Sequence, residues 1–201
     1  MSFNKGIKEL GVPNIEPLYI EAVSVEQGGN SAVNLKQSFK DAYIHHLTDS
    51  VVQRTAVKFD KFAMKTDAYT PRMDFVGDYK MEGKILVLPI TGNGKANVSM
   101  HQLTTRHELR GDTFTKEDGN VYLNITSYKI KFTPKYVTFF FGNLFNGDKL
   151  LGDTMNNFMN QNWQPVFEGL IPGYELHFGN KFKEISNLLF HKVPMKLIFL
   201  D

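Results

Sequence analysis

The stretch DKLLGDTMNNFMNQNWQPVFEGL, residues 148–170, decides the fold. Its apolar residues Leu151, Met155, Phe158, Met159, Trp163, Val166, Phe167 and Leu170 recur at spacings of three and four, the stripe of an amphipathic helix. Asp148 stands where an N-cap belongs. A second stripe, Phe178, Phe182, Ile185, Leu188 and Leu189, carries the helical pattern to about His191, where Val193-Pro194 stops it. Pro165 and Pro172-Gly173 lie inside the pattern, so a kink or break is expected there. A helical end of about forty residues would span roughly 60 Å if straight, more than a compact globule of this size.

Upstream, the period is two. Residues 18–27 alternate apolar and polar, and Gly28-Gly29-Asn30 reads as a turn. Further strands are expected over 33–47, 51–64 and 68–81, with a bend at Glu82-Gly83 before the apolar run Ile85-Leu86-Val87-Leu88-Pro89-Ile90. Gly92-Asn93-Gly94 reads as the next turn, into a strand over 96–109. Asp118-Gly119 turns the chain into 121–132, and Pro134 precedes a strand over 136–144. Several of these exceed the usual five or six residues, which implies a strongly curved antiparallel sheet. The class is α+β: strand-rich over 18–145 and helical over 148–191, read as one elongated domain over 1–201.

The 201 residues are 42% hydrophobic and 22% charged, enough for a sizeable core without a metal or disulfide. Cys is 0, which excludes thiol nucleophiles, cysteine zinc sites and iron–sulfur clusters. With 23 Lys+Arg against 21 Asp+Glu and no dense basic run, nucleic acid is not expected as a partner. No apolar run approaches a membrane span, and the first ten residues lack the apolar core of a signal peptide.

Motifs that suggest chemistry fail on spacing. Gly92-Asn93-Gly94-Lys95-Ala96 lacks both the four residues between glycines and the Ser or Thr of a phosphate loop. His107-Glu108 begins like a zinc-protease helix, but Gly111 stands where the second His is needed. His45-His46 in a strand point to opposite faces. No Gly-x-Ser-x-Gly elbow is present. Neither a catalytic constellation, a metal nor a cofactor is expected. Asn97-Val98-Ser99 and Asn124-Ile125-Thr126 are glycosylation sequons. What remains is the helix stripe, eight Met and 17 Phe, which either fill a core or line a cavity for an apolar guest.

Four separated blocks bear on that choice. They are Lys5-Gly6-Ile7-Lys8-Glu9-Leu10-Gly11-Val12-Pro13 with Glu16-Pro17-Leu18; residues 77–90 (GDYKMEGKILVLPI) with Gly92 and Gly94; Asn143-Leu144-Phe145-Asn146-Gly147 with Leu151-Gly152-Asp153; and Asn160-Gln161-Asn162-Trp163. In order and spacing they resemble the insect Takeout and juvenile hormone binding protein family over nearly the whole chain. The resemblance implies a long C-terminal helix wrapped by a curved sheet, with an elongated internal hydrophobic tunnel. It implies non-catalytic transport of a juvenile hormone, another terpenoid or a fatty ligand, by a secreted monomer whose receptor is unknown. Such proteins usually begin with a signal peptide and a disulfide-bearing segment, neither of which is expected in this chain, so a cytoplasmic address is the alternative. Ligand contacts are expected from Phe75, Tyr79, Leu86, Leu88, Met100, Tyr128, Ile130, Phe139 and Phe141 on the sheet. Met155, Phe158, Met159, Trp163 and Phe167 supply them from the helix, and Tyr128 is the expected hydrogen-bond donor. A lipid-modifying esterase or isomerase, and a protein docking a receptor or membrane, are the alternative functions.

Overall fold

The structure, a computed structural model, describes residues 5–27 and 33–199; the turn expected at Gly28-Gly29-Asn30 lies outside them. Seven strands, β1 (Leu18–Gln27), β2 (Val33–His45), β3 (Val51–Lys58), β4 (Ala63–Ile85), β5 (Leu88–Thr115), β6 (Val121–Thr133) and β7 (Tyr136–Phe141), form one antiparallel sheet. Three helices follow: α1 (Lys149–Gln161), α2 (Trp163–Phe190) and the short α3 (Met195–Ile198).

The spine of the sheet is the β4–β5 hairpin, paired from Ala63↔Arg110 to Ile85↔Leu88. At 23 residues, β4 would reach roughly 75 Å if straight. On the side away from β5, no single neighbour covers that length. β3 pairs with the first part of β4, up to Tyr69, and β2 with the rest, from Asp74. Across the hairpin, β6 pairs with β5 from Thr104 onward, and β7 with β5 up to His101. The two changes of partner lie opposite each other. Between them stand Pro71 on β4, whose missing N–H falls in the gap, and Gln102 on β5, bent to φ 48°. A crease therefore crosses the whole sheet. β1 through the second half of β4, the first half of β5 and β7 surround the larger core, while Phe62, Leu109, Leu123, Ile125 and Phe190 form a smaller one beyond the crease.

The helices close the curl. Every second residue of an antiparallel edge strand points both its N–H and its C=O away from the sheet, and a primary amide offers a donor and an acceptor to match. Asn156 Oδ1 accepts from Phe141 N (2.9 Å) and its Nδ2 donates to Phe141 O (2.9 Å); Asn160 does the same with Phe139, at 2.7 and 2.8 Å. Four helical residues rise about 6 Å, and two strand residues about 6.6 Å, so α1 runs beside β7 with its amides in step. Asn187 repeats the clamp on Ile125 of β6, and Glu175 Oε1 accepts from Phe132 N at 2.9 Å. At the opposite edge of the sheet, His177 Nε2–H donates to Ser24 O of β1 at 2.8 Å. The sheet thus curls until both edges meet α2.

Several boundaries differ from the sequence reading. Asp148 caps α1, accepting from Leu151 N at 3.0 Å, as expected. The helical run breaks at Asn162, just before Pro165, which sits in the first turn of α2 where its missing N–H costs nothing. Pro172-Gly173 does not interrupt α2. Pro172 faces solvent, and Gly173 serves packing, since a Cβ there would lie 2.4 Å from Val25 Cγ1. Residues 51–64 are not one strand, because the chain turns at Phe59–Phe62. Glu82-Gly83 and Gly92-Asn93-Gly94 lie within β4 and β5, and the turn between those strands is Leu86-Val87. Gly92 packs beneath the Tyr79 hydroxyl and Leu144, so its missing side chain provides room.

Asn160→Ala leaves the Phe139 N–H and C=O without their partner, and about 2 kcal/mol of stability should be lost in urea unfolding. Asn162→Ala, whose Nδ2 donates only to the local Phe158 carbonyl, should lose less than half of that.

Candidate functional site

Inward-facing positions of the sheet alternate, and those of α2 recur at three and four. Where they face each other near the middle of the larger core they leave a cavity of about 50 Å³. Phe75, Met100, Phe139, Phe141 and Phe167 stand in its wall, all of them expected ligand contacts. The sequence reading passed over Gln37, Phe39, Val98, Leu170, Ile171, Tyr174 and Phe178. The rings pack on one another: Phe39 and Phe75 centroids are 4.7 Å apart, and Phe75 meets Phe178 edge-on at 5.6 Å. The wall is apolar apart from one pair. Tyr174 Oη donates to Gln37 Oε1 at 2.7 Å, with both residues buried. Burial raises the Tyr174 phenol, so it stays a neutral donor at any physiological pH. Gln37 was visible as the one polar residue in the inward series Val33, Leu35, Gln37, Phe39 of β2.

The other expected contacts are distributed around this cavity. Tyr79 is buried beside it, edge-on to Phe141, and its hydroxyl donates to Gly142 O at 2.7 Å; burial pushes its pKa up to about 12. Ile130, Met155 and Met159 are core residues away from the wall, and Phe158 and Trp163 pack partly buried against that core. Leu86 and Leu88 do not belong to the site. Leu86 is in the exposed β4–β5 turn and Leu88 follows it, because the apolar run 85–90 is a hairpin with its ends inside and its middle outside.

Tyr128 lies elsewhere. Beyond the crease it lines an open, largely apolar groove of about 280 Å³ with Ile7, Val12, Met64, Leu109, Ile185, Ser186, Leu189 and Phe190. Its hydroxyl is 2.8 Å from His107 Nδ1, and His107 Nε2 is 2.9 Å from Thr105 Oγ1. Phe182 covers both rings, at 5.8 Å from Tyr128 and 6.4 Å from His107. Along α2 this phenyl falls between Phe178 of the cavity wall and Ile185 of the groove. Burial lowers His107 to about 4, so the ring is neutral, one nitrogen donating and the other accepting. No cluster of metal-binding side chains is present among the described residues. None of the helices among them is long and apolar enough to cross a membrane.

Residues 1–200 match the family model described as haemolymph juvenile hormone binding protein (JHBP). The chain belongs to this family. Two circadian clock-controlled proteins named daywake are similar to it: that of Drosophila yakuba at 29% identity, and that of Drosophila melanogaster at 28%. Each alignment covers 98% of this chain and 78% of the relative. The crystal structure of Epiphyas postvittana Takeout 1 superposes with a TM-score of 0.84 at 26% identity, covering 96% of this chain and 87% of that one. The family fold thus agrees with the long helix in a curled antiparallel sheet, and the family is one of binding proteins.

A neutral His107 gives the fold a pH signature. Its folded pKa of about 4 lies below the ordinary 6.5, so between those values the unfolded chain binds more protons. The contribution is complete above pH 6.5 and is lost as pH falls towards 4, a change on the order of 3 kcal/mol. Urea unfolding at pH 7.5 and 4.5 should show a larger loss for the native chain than for His107→Gln.

Proposed function

We propose that this protein binds a small, mostly apolar molecule, a juvenile hormone, another terpenoid or a fatty ligand, between helix α2 and the sheet, and carries it without altering it. The observation that supports this best is the cavity itself, ringed by Phe, Met and Leu, with one buried hydroxyl–amide pair to hold a single polar group. A volume of about 50 Å³ holds only a few carbon atoms, so occupancy requires the walls to part. Phenylalanine rings and methionine chains are suited to that, since they repack by rotation. The groove at Tyr128 is the entrance in this reading, with Phe182 the ring that must swing aside. Burying roughly 400 Å² of an isoprenoid at about 25 cal/mol per Å² yields on the order of 10 kcal/mol before association entropy, enough for micromolar to nanomolar affinity.

The family description refers to haemolymph, and we read this chain as an extracellular, monomeric carrier. An esterase reading is not favoured. Ser99 is buried, donates its hydroxyl to Asn97 Oδ1 at 3.2 Å, and has Asp74 between it and His46. A nucleophile needs the base on its own proton.

A fluorescent fatty probe should bind at one per chain and be displaced by a terpenoid. Leu170→Trp, which fills the cavity, should weaken it at least tenfold while the fold is retained. Failure of every apolar probe, or unchanged affinity in Leu170→Trp, rejects the proposal.

A further inference from the structure

The β4–β5 turn breaks two local rules at once. Leu86-Val87 is a two-residue hairpin loop in which only the first residue has positive φ, a position that glycine takes by preference because it has no Cβ. Leu86 occupies it at φ 53°. An exposed tip also favours polar residues, yet this one reads Leu86-Val87-Leu88, with Val87 85% exposed. A branched apolar residue kept in a strained, exposed turn indicates a role for the tip that folding does not supply.

The tip is not isolated. Leu144 bridges to Gly92, four residues from Leu88, and the chain then enters α1, whose first turn adds Leu150 (78% exposed) and Leu151 at the same end. Lys80 and Lys84 on the outward face of β4 have no carboxylate partner among the described residues, and Glu82 between them lies across from Lys36. Among the described residues Glu82 has no ion pair either, so the outward faces of β2 and β4 at this end carry Lys36, Lys80 and Lys84 against one carboxylate, a net positive charge. Aliphatic side chains that can enter hydrocarbon, flanked by lysines that can sit at headgroup level, match the layering of a bilayer surface.

We propose that the β4–β5 tip and the first turn of α1 dock this protein on an anionic phospholipid membrane. The surface lies at the end of a solid core, Val33, Leu35, Met81, Ile85 and Ile90 being fully buried behind it. Docking is thus separate from the interior cavity and does not rest on the ligand reading.

Sedimentation with phosphatidylcholine vesicles, with and without phosphatidylserine, tests it. The native chain should sediment with the anionic vesicles. Val87→Asp should bind at least tenfold more weakly, as should the pair Leu86→Asn with Leu150→Asp. That pair should unfold at equal or higher urea, because Asn accepts positive φ and Asp suits a helix first turn. Lys80→Gln and Lys84→Gln should each weaken binding about fivefold, on anionic vesicles only. All variants should keep native affinity for a fluorescent fatty probe; loss of probe binding with vesicle binding intact counts against the interior site alone. The proposal is overturned if the native chain ignores both vesicles, or if the tip variants sediment as it does. It is equally overturned if the native chain ignores vesicles but self-associates through a surface that Val87→Asp abolishes, which would make a second copy the occupant.

Discussion

An amide on a helix completing the edge of a β-strand is the interaction on which this architecture depends. A long curled sheet has two open edges, and each presents a row of unpaired N–H and C=O groups that would otherwise recruit another strand. Here Asn156, Asn160 and Asn187 satisfy one edge residue apiece with both ends of the amide, and Glu175 takes a fourth N–H. The match is metric as well as chemical, because four residues of helix and two of strand advance by nearly the same distance. Helix position and strand register fix each other. With the N–H and C=O of Phe139 and Phe141 held from the edge, their side chains must point inward, which is where the cavity is.

The crease supplies the second constraint. A ribbon as long as β4 and β5 cannot curl uniformly around one helix while keeping one partner on each side. Changing partners at Tyr69/Asp74 and at His101/Thr104, with Pro71 and Gln102 between, lets the two halves curve separately. The halves then enclose different contents. The larger encloses the phenylalanine-lined cavity, and the smaller leaves the groove at Tyr128 open. His107, Thr105 and Tyr128 lie on the boundary, and their mutual hydrogen bonds allow polar groups to be buried there without a charge.

Sequence periodicity carried the helix stripe, its Asp148 cap, β6, β7 and the curvature of the sheet, because these rest on burial that repeats over many residues. It placed the Asp118-Gly119 turn but failed at the turn between β4 and β5. Gly92 and Gly94 looked like a turn, but they are places where backbone and side chains approach closely, whereas the real turn is the apolar pair Leu86-Val87, which has none of the expected chemistry. Placing the turn six residues late turned Leu86 and Leu88 from tip residues into wall residues. Pro172-Gly173 misled in the same way, a packing notch resembling a stop. Of the cavity wall, the aromatic positions on β4, β5 and β7 were legible because alternation fixes a face. Gln37 stood out as a polar residue in an apolar series, but its role with Tyr174 did not, since a polar pair becomes meaningful only when two distant elements bring its members together.

Phenylalanine content now has a structural account that composition could not provide. Five rings, Phe39, Phe75, Phe132, Tyr174 and Phe178, contact one another edge to face or tilted at centroid separations of 4.7 to 6.2 Å, and Phe139 stacks beside Phe141 at 6.4 Å. Such contacts are individually weak and can be exchanged for one another by ring rotation, unlike the interlocked packing of branched aliphatic residues. A wall built this way has several arrangements of similar energy. The aliphatic positions nearer the hairpin tip, Val33, Leu35 and Ile85, lack that freedom and are completely enclosed. The core is therefore rigid where the amide clamps and the hairpin need it, and adaptable where a space already exists. An apolar guest would widen the molecule at its aromatic middle while the helix stayed fixed to the edges on either side.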